Sequence, residues 1–441
     1  MKHNLLLAAK RGFTAIVAAV CMMLHASAYD FMVDGIAYRL NGDSETATVV
    51  ATSLLSADNY AGLTKAIIPA FVNSDSVTTV AVTAIDEFAF YGCSTLDTLS
   101  VPATVNQIGD RAFAYCPALK FIEVNGRNAT YDSRNYCNAI VHTYTSTVVV
   151  GCATTTMNSS IRAIGAFAFA GCERLSRLQI PNSVQKIGYE AFRGCKTLVG
   201  VNIPANVKEI GYRVFADCDN LANIRVDATN NRFDARESCN GVIHTSTGTL
   251  VTGCAATTIP ASVTAIGYEA LSGCGALSNL VIPEPVSRIG HYALRATESL
   301  QTVDIPATVT SFGDRAFGDC TALTSIYARL EHPEQANYYE LSTFEGVDTL
   351  ACTVYVPEGT VDLYKATMPW KPFFHITVIP SNIPGDVNLD GAVDILDVNI
   401  VINIVLGRDD ASNYDRRAYI LGNDTIDVAD VNALINLVLN Q

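Results

Sequence analysis

Two sets of residues in this sequence could do chemistry. The first is an acidic loop near the C-terminus. Asp386-Val387-Asn388-Leu389-Asp390-Gly391-Ala392-Val393-Asp394-Ile395-Leu396-Asp397 places oxygen side chains at loop positions 1, 3, 5, 9 and 12 and glycine at position 6. A hard divalent cation takes such oxygens from one side of a loop, and the glycine permits the sharp bend. The spacing predicts a calcium site held by Asp386, Asn388, Asp390 and Asp397. Ala392 would add its carbonyl at position 7, and Asp394 would act through water. The other reading of these residues is a solvated acidic loop.

The second set is the cysteines. Thirteen are present, twelve of them beyond residue 28. Cys93 and Cys116 lie 23 apart, as do Cys172, Cys195 and Cys218, while Cys274 and Cys320 are separated by twice that. A zinc site would need close C-x-x-C pairs and histidines, which are missing. The regular step reads instead as buried, small, apolar thiols. Cys137 with Cys152, and Cys239 with Cys254, follow another pattern. Each pair could form a disulfide in an exported protein or stay as buried thiols. His142 and His244 share one register and read as structural. No HExxH, GxSxG, P-loop or dinucleotide glycine fingerprint occurs, and the acids show no paired spacing. A protein without catalytic residues is expected.

Composition narrows the choice. The chain of 441 residues is 49% hydrophobic and only 16% charged, which excludes a disordered chain. Its net charge is −14, and about −17 without the three basic residues of the first 28. Phosphates of nucleic acids and anionic lipids would repel it. With one Trp and 8% aromatic residues, no stacked-aromatic platform for carbohydrate is obvious. Lys2, Lys10 and Arg11 precede an apolar run from Gly12 to Leu24, and Ala26-Ser27-Ala28 fits small-residue cleavage. Residues 1–28 read as a secretory signal. The run is short beside the roughly 20 residues a membrane span needs, and no other stretch approaches that. A secreted or cell-surface protein without a transmembrane segment is expected, starting near Tyr29.

The elements that position these residues repeat. One unit runs Asn182-Ser183-Val184-Gln185-Lys186-Ile187-Gly188-Tyr189-Glu190-Ala191-Phe192-Arg193-Gly194-Cys195-Lys196-Thr197-Leu198-Val199-Gly200-Val201-Asn202-Ile203-Pro204. Eight such units span 77–328. Leu271 and Leu294 take the aromatic slot in two of them, and Thr297 replaces the cysteine. A period of 20–29 residues with a Leu/Ile ladder means a solenoid. One unit buries too few apolar side chains to offset the entropy of ordering it, so neighbours must stack. Leu198, Val201 and Ile203 should point inward from a short strand that Pro204 ends. Ala191-Phe192 fits a short helical turn dropping one ring inside.

The Ile-Gly…Ala-Phe…Cys-x-x-Leu-x-x-Leu-x-Ile-Pro skeleton resembles the BspA-like leucine-rich repeats of bacterial surface proteins. The resemblance implies a mostly β solenoid of short strands and short helical turns. It also implies extracellular adhesion or protein binding, with no defined ligand. The strand residues facing outward include Phe121, Glu123, Arg177, Gln179, Asn202, Arg225, Asp304 and Tyr327. This mixed stripe is the candidate ligand face for a host or bacterial protein or glycan, unless it is only a solvated face.

The period breaks twice, over 125–160 and 227–260, with matching inserts whose equivalent positions differ by 102. Both read as β-hairpins. Residues 29–76 should form an N-terminal β cap opened by an Asp34-Gly35 hairpin turn. Residues 329–378 should close the other end, with Trp370 in the core, and 379–385 should be a linker.

The tail, 386–441, carries ten Asp, three Arg and no Glu. Asp397-Val398-Asn399-Ile400-Val401-Ile402-Asn403-Ile404-Val405-Leu406 recurs 33 residues later as Asp430-Val431-Asn432-Ala433-Leu434-Ile435-Asn436-Leu437-Val438-Leu439, with seven of ten identical. A duplicated loop and helix with Asp at position 12 resembles type I dockerin. The resemblance implies a small all-α, EF-hand-like calcium domain that docks to a cohesin-type partner. Positions 10 and 11, which would join that contact, are Ile395-Leu396 and Val428-Ala429, though they could equally be core. Tyr419 and Leu421 stand at positions 1 and 3 of the second loop, so that site is expected to be weak or absent. The sequence therefore predicts a secreted, non-catalytic binding protein with calcium in its tail. A structural spacer or envelope component is the alternative, and an enzyme acting on polysaccharide is the weakest reading.

Overall fold

The computed structural model describes residues 29–42, 45–53, 60–338, 342–379, 385–387, 393, 395–408 and 426–439. The signal segment lies outside them. The chain divides into two compact units, Met1–Cys195 and Lys196–Gln441.

The first unit opens with the expected hairpin. Strands Phe31–Val33 and Ile36–Leu40 pair antiparallel, and both turn residues, Asp34 and Gly35, have positive φ, as a two-residue turn matched to strand twist requires. Strand Thr46–Val49 follows and pairs parallel with Thr79–Ile85. The repeats then stack as rungs. Lys65–Ile67, Thr98–Val101 and Phe121–Val124 form one parallel sheet. Thr147–Val150, Ala163–Ile164 and Lys186–Ile187 belong to a second. Alternation turns Ala66, Leu99, Val101, Ile122 and Val124 into a buried core. The rings of Phe90 and Phe113 stack 5.1 Å apart inside it.

The second unit repeats the plan. Asn279–Val281, Thr302–Ile305, Ser325–Ala328, Thr353–Val356 and His375–Val378 make a five-stranded parallel sheet. Ala265–Ile266, Arg288–Ile289, Ser311–Phe312 and Asn337–Tyr338 make the companion sheet. At its end Trp370 is fully buried against Phe312, Phe344 and Tyr364, and its Nε1 donates to the Tyr338 hydroxyl at 2.7 Å.

Each insert joins its sheet rather than projecting from it. Tyr131–Asp132, Ile140–His142 and Thr147–Val150 run antiparallel, and the last pairs parallel with the next repeat strand. Phe233–Asp234, Val242–His244 and Thr249–Thr252 do the same.

The corner between the sheets differs from expectation. The short helical turn predicted at Ala-Phe is a pair of tight turns. In the first unit, Phe167, Phe169 and Gly171 donate their amides to Tyr189, Ala191 and Arg193 of the next rung. The alternate residues Ala168, Ala170 and Cys172 donate back within the turn. A helix would spend all of these amides internally. A non-glycine residue with left-handed backbone sits at each corner: Phe88, Arg111, Phe167 and Glu190 in the first unit, Arg213, Glu269, Tyr292 and Arg315 in the second. None is β-branched, the type that tolerates this region least.

The Ile-Gly pair has a steric cause. A Cβ on Gly109 would lie 2.3 Å from the Glu87 amide nitrogen, and one on Gly313 would lie 2.2 Å from that of His291. Backbones of adjacent rungs approach so closely here that only glycine fits. The cysteine slot is also more specific than a small apolar site. Cys116 Sγ donates to the Phe90 carbonyl at 3.1 Å, and Cys320 Sγ to that of Leu294 at 3.2 Å. Thr297 makes the equivalent bond to Leu271. The slot needs one small donor to satisfy a carbonyl of the preceding rung.

All twelve cysteines from Cys93 to Cys352 are buried free thiols. The disulfides considered for Cys137–Cys152 and Cys239–Cys254 are not formed. Both cysteines of each insert lie beyond its paired strands, and each thiol faces its own carbonyl, Cys239 that of Gly241 at 3.4 Å and Cys254 that of Asn240 at 3.5 Å.

Two predictions follow from this packing. Gly313→Ala should destabilise by about 1–3 kcal/mol or more through overpacking. Gly126→Ala, where a Cβ meets nothing within 4 Å, should change stability by less than about 0.5 kcal/mol in the same urea titration. Burial pushes the thiols of Cys239 to about 11 and of Cys320 and Cys352 to about 12, from an ordinary 9.0. Unfolded thiols ionise first, so urea midpoints should hold level up to about pH 9 and fall from there towards pH 12.

Candidate functional site

Outward residues of the parallel sheets line up in columns because the strands are in register. In the first unit Lys65, Thr98 and Phe121 form one column, and Ile67, Ser100 and Glu123 the next. Phe121 is 63% exposed and Ile67 54%. Both stand on one sheet face beside polar side chains in register. Arg177 and Gln179 are exposed too, but their segment forms no strand.

In the second unit Asn202 and Arg225 sit side by side and exposed on paired strands. The remaining two expected contacts are already engaged within the protein. Asp304 accepts a two-pronged bond from Arg329, Nε to Oδ1 at 2.8 Å and Nη2 to Oδ2 at 2.6 Å. Tyr327 is only 4% exposed, its ring stacked 4.7 Å from Tyr355 of the next rung. It is therefore not an open ligand contact, because the rung above covers it.

The inserts are built on one ion pair each. Arg134 grips Asp132 through Nε and Nη2 at 2.8 and 2.7 Å, and also reaches the Thr143 carbonyl and Ser146 hydroxyl. Arg236 grips Asp234 in the same way. Burial alone would raise the Asp132 carboxyl, but the hydrogen bonds from Arg134 outweigh it and hold the group below the usual range. His142 and His244 pack edge-on against Tyr131 and Phe233, each with its Nδ1 turned to a local turn residue, a structural role. The two scaffolds match, but their surfaces do not. Tyr136 and Tyr144 are 97% and 93% exposed on the first, and Ser238 and Ser246 replace them on the second. The 102-residue offset could have revealed this contrast from sequence.

The described residues of the tail form two helices, Ile395–Val405 and Val428–Leu439, which pack on each other around Val398, Val401 and Leu434. Asp386 and Asp397 are both buried, and Asp397 Oδ1 accepts the Val387 amide at 2.7 Å. Asp430, the equivalent of Asp397, is also buried. Its Oδ2 accepts the Asp427 amide at 3.0 Å, while Oδ1 has no hydrogen-bond partner among the described residues. Asn388, Asp390, Ala392 and Asp394 lie outside the described residues. Among those described, no three His, Cys, Asp or Glu side chains converge as a metal cluster would. Ile395, Leu396, Val428 and Ala429 are all exposed, so none of the four is core. No described helix is long and apolar enough to cross a membrane.

Comparison with known proteins gives several similar chains and one family. A leucine-rich cell surface protein of Faecalibacterium prausnitzii is 19% identical, covering 80% of this chain and 95% of that one, with a TM-score of 0.43. A leucine-rich repeat protein of Bacteroides ovatus is 22% identical, covering 79% and 76%, with a TM-score of 0.36. The pneumococcal vaccine antigen PcpA is 15% identical, covering 79% and 98%, with a TM-score of 0.41. No curated protein matches. The profile of the BspA type leucine rich repeat region (6 copies) matches residues 63–145, 150–240 and 252–365. That is well over half of the sequence, and this chain belongs to the BspA-type leucine-rich repeat family.

Proposed function

We propose that this chain is an exported, non-catalytic binding protein of the cell surface. Its repeats present a protein- or glycan-binding face, and its tail docks to a cohesin-type partner with calcium bound. One observation carries the first half. The repeats bury all twelve thiols and leave register-matched columns of mixed side chains, Phe121 and Ile67 among them, uncovered.

The tail reading rests on two others. Asp386 and Asp397 are both buried, and they stand at positions 1 and 12 of the EF-hand spacing. Calcium would be held by these two with Asn388, Asp390, Asp394 and the Ala392 carbonyl. The exposed Ile395, Leu396, Val428 and Ala429 at the starts of the two helices would then make the apolar contact. A spacer role is favoured by the engagement of Asp304 with Arg329 and of Tyr327 with Tyr355, which removes part of the face from ligand contact.

The test is capture from secreted and surface fractions of the source organism. Recovery of a cohesin-like protein in calcium, lost in EDTA and in Asp386→Ala, is the expected result. Recovery of no partner by either half would support the spacer. Titration calorimetry should also show about one tight calcium site, absent in Asp386→Ala and in Asp397→Ala. Heats unchanged by these substitutions would sink the calcium reading.

A further inference from the structure

Beside the corner of the second unit runs a groove of about 300 Å³, at the lower end of the size of small-molecule sites, roughly 300–1,000 Å³. It is lined by Tyr268, Arg288, His291, Ser311 and Asn337, and by no carboxylate. The Arg288 guanidinium is the formal charge in this lining, with Glu269 beside Tyr268 and Asp314 beside His291 just outside it.

The lining is ordered by the rungs. Arg288, Ser311 and Asn337 occupy the same register on three consecutive parallel strands. Each offers one polar side chain about every 4.8 Å, a spacing on the scale of one sugar ring. Among the described residues, these three side chains make no ion pair or hydrogen bond, and Arg288 is exposed. One wall is aromatic. Tyr268 is 41% exposed and held between Tyr212, 4.5 Å away between ring centres, and Tyr292, 5.8 Å away. Its ring is pre-positioned, so little entropy is lost when a ligand stacks on it. The Asp314 amide donates to His291 Nδ1 at 3.1 Å, which places the proton of the neutral imidazole on Nε2.

The backbone rules out one mode of peptide binding. An extended peptide would need free main-chain groups to add as a strand. Here the amides of Gly267, Gly290 and Gly313 are all donated to carbonyls of the preceding rung, at 2.8–2.9 Å. Recognition must come from side chains, and these are one arginine, one amide, one hydroxyl, one imidazole and a tyrosine face. A guanidinium takes a carboxylate through two parallel bonds, and the other groups suit hydroxyls on a ring that stacks on tyrosine. We infer that this groove binds an acidic oligosaccharide, its carboxylate on Arg288 and a sugar face on Tyr268. The inference rests on the binding reading above and names a ligand class and site for it.

The test is titration calorimetry of the full chain with tetragalacturonate, with uncharged cellotetraose, and with a short peptide ending in a free carboxylate. Tetragalacturonate should bind, more weakly as salt rises. Arg288→Gln and Tyr268→Ala should each weaken it about tenfold or more. Lys371→Gln, exposed on the C-terminal cap, should leave it unchanged, and melting of Arg288→Gln should match the parent. Absence of tetragalacturonate binding, binding unaffected by Arg288→Gln, or equal affinity for the peptide would each overturn the inference. If one of these occurs while the repeats still capture a surface partner, the groove assignment fails and the binding reading stands. If capture fails as well, both fall.

Discussion

The close approach of one rung's backbone to the next is the constraint on which this protein depends. Strands and corners both donate their amides to the neighbouring rung, as Gly188 does to Ile164 at 2.9 Å and Gly313 to Ile289 at 2.8 Å. Parallel rungs held this way leave no space for a side chain at the glycine. They also force a left-handed residue at each corner and require a small donor where cysteine or Thr297 meets a carbonyl. Much of the repeat's signature is thus the sequence record of a single hydrogen-bonding geometry.

That geometry also sets what the surface can do. Because rungs are in register, outward residues 23 or more positions apart become neighbours, as Tyr327 and Tyr355 do. A column can therefore be rewritten one residue per rung without disturbing the core. The inserts show the same separation of scaffold from surface. Both keep the Asp–Arg pair and the buried cysteines, while one displays two tyrosines and the other two serines. The twelve described thiols face inward, and burial raises those such as Cys239 well above their ordinary range.

The tail follows a different logic. Among the described residues, two short helices share a core of Val387, Val393, Val398, Val401 and Leu434. Asp386, Asp397 and Asp430 are buried beside it. In the calcium reading proposed above, binding free energy would add to folding free energy where the unfolded loop holds no site.

The 23-residue period, the inward Leu/Ile/Val positions, the Asp34-Gly35 turn and the paired tail helices were all legible in the sequence. Each is fixed by local conformation or by a burial pattern that every repeat shares. The stacked tight turns at the corners were not, because helix and tight turn place Ala-Phe alike and differ only in where the amides go. Nor was the fate of the outward stripe. Asp304 and Tyr327 alternate with buried neighbours just as Asn202 does, yet partners 25 and 28 residues away, Arg329 and Tyr355, engage them. The same holds for Tyr212, Tyr268 and Tyr292, which lie far apart in sequence and which the corner brings next to one another. The sequence determined which positions face the core, since burial acts on every unit identically. Only the tertiary structure decided which exposed side chains meet, since that depends on rung-to-rung hydrogen bonds between residues far apart in the chain.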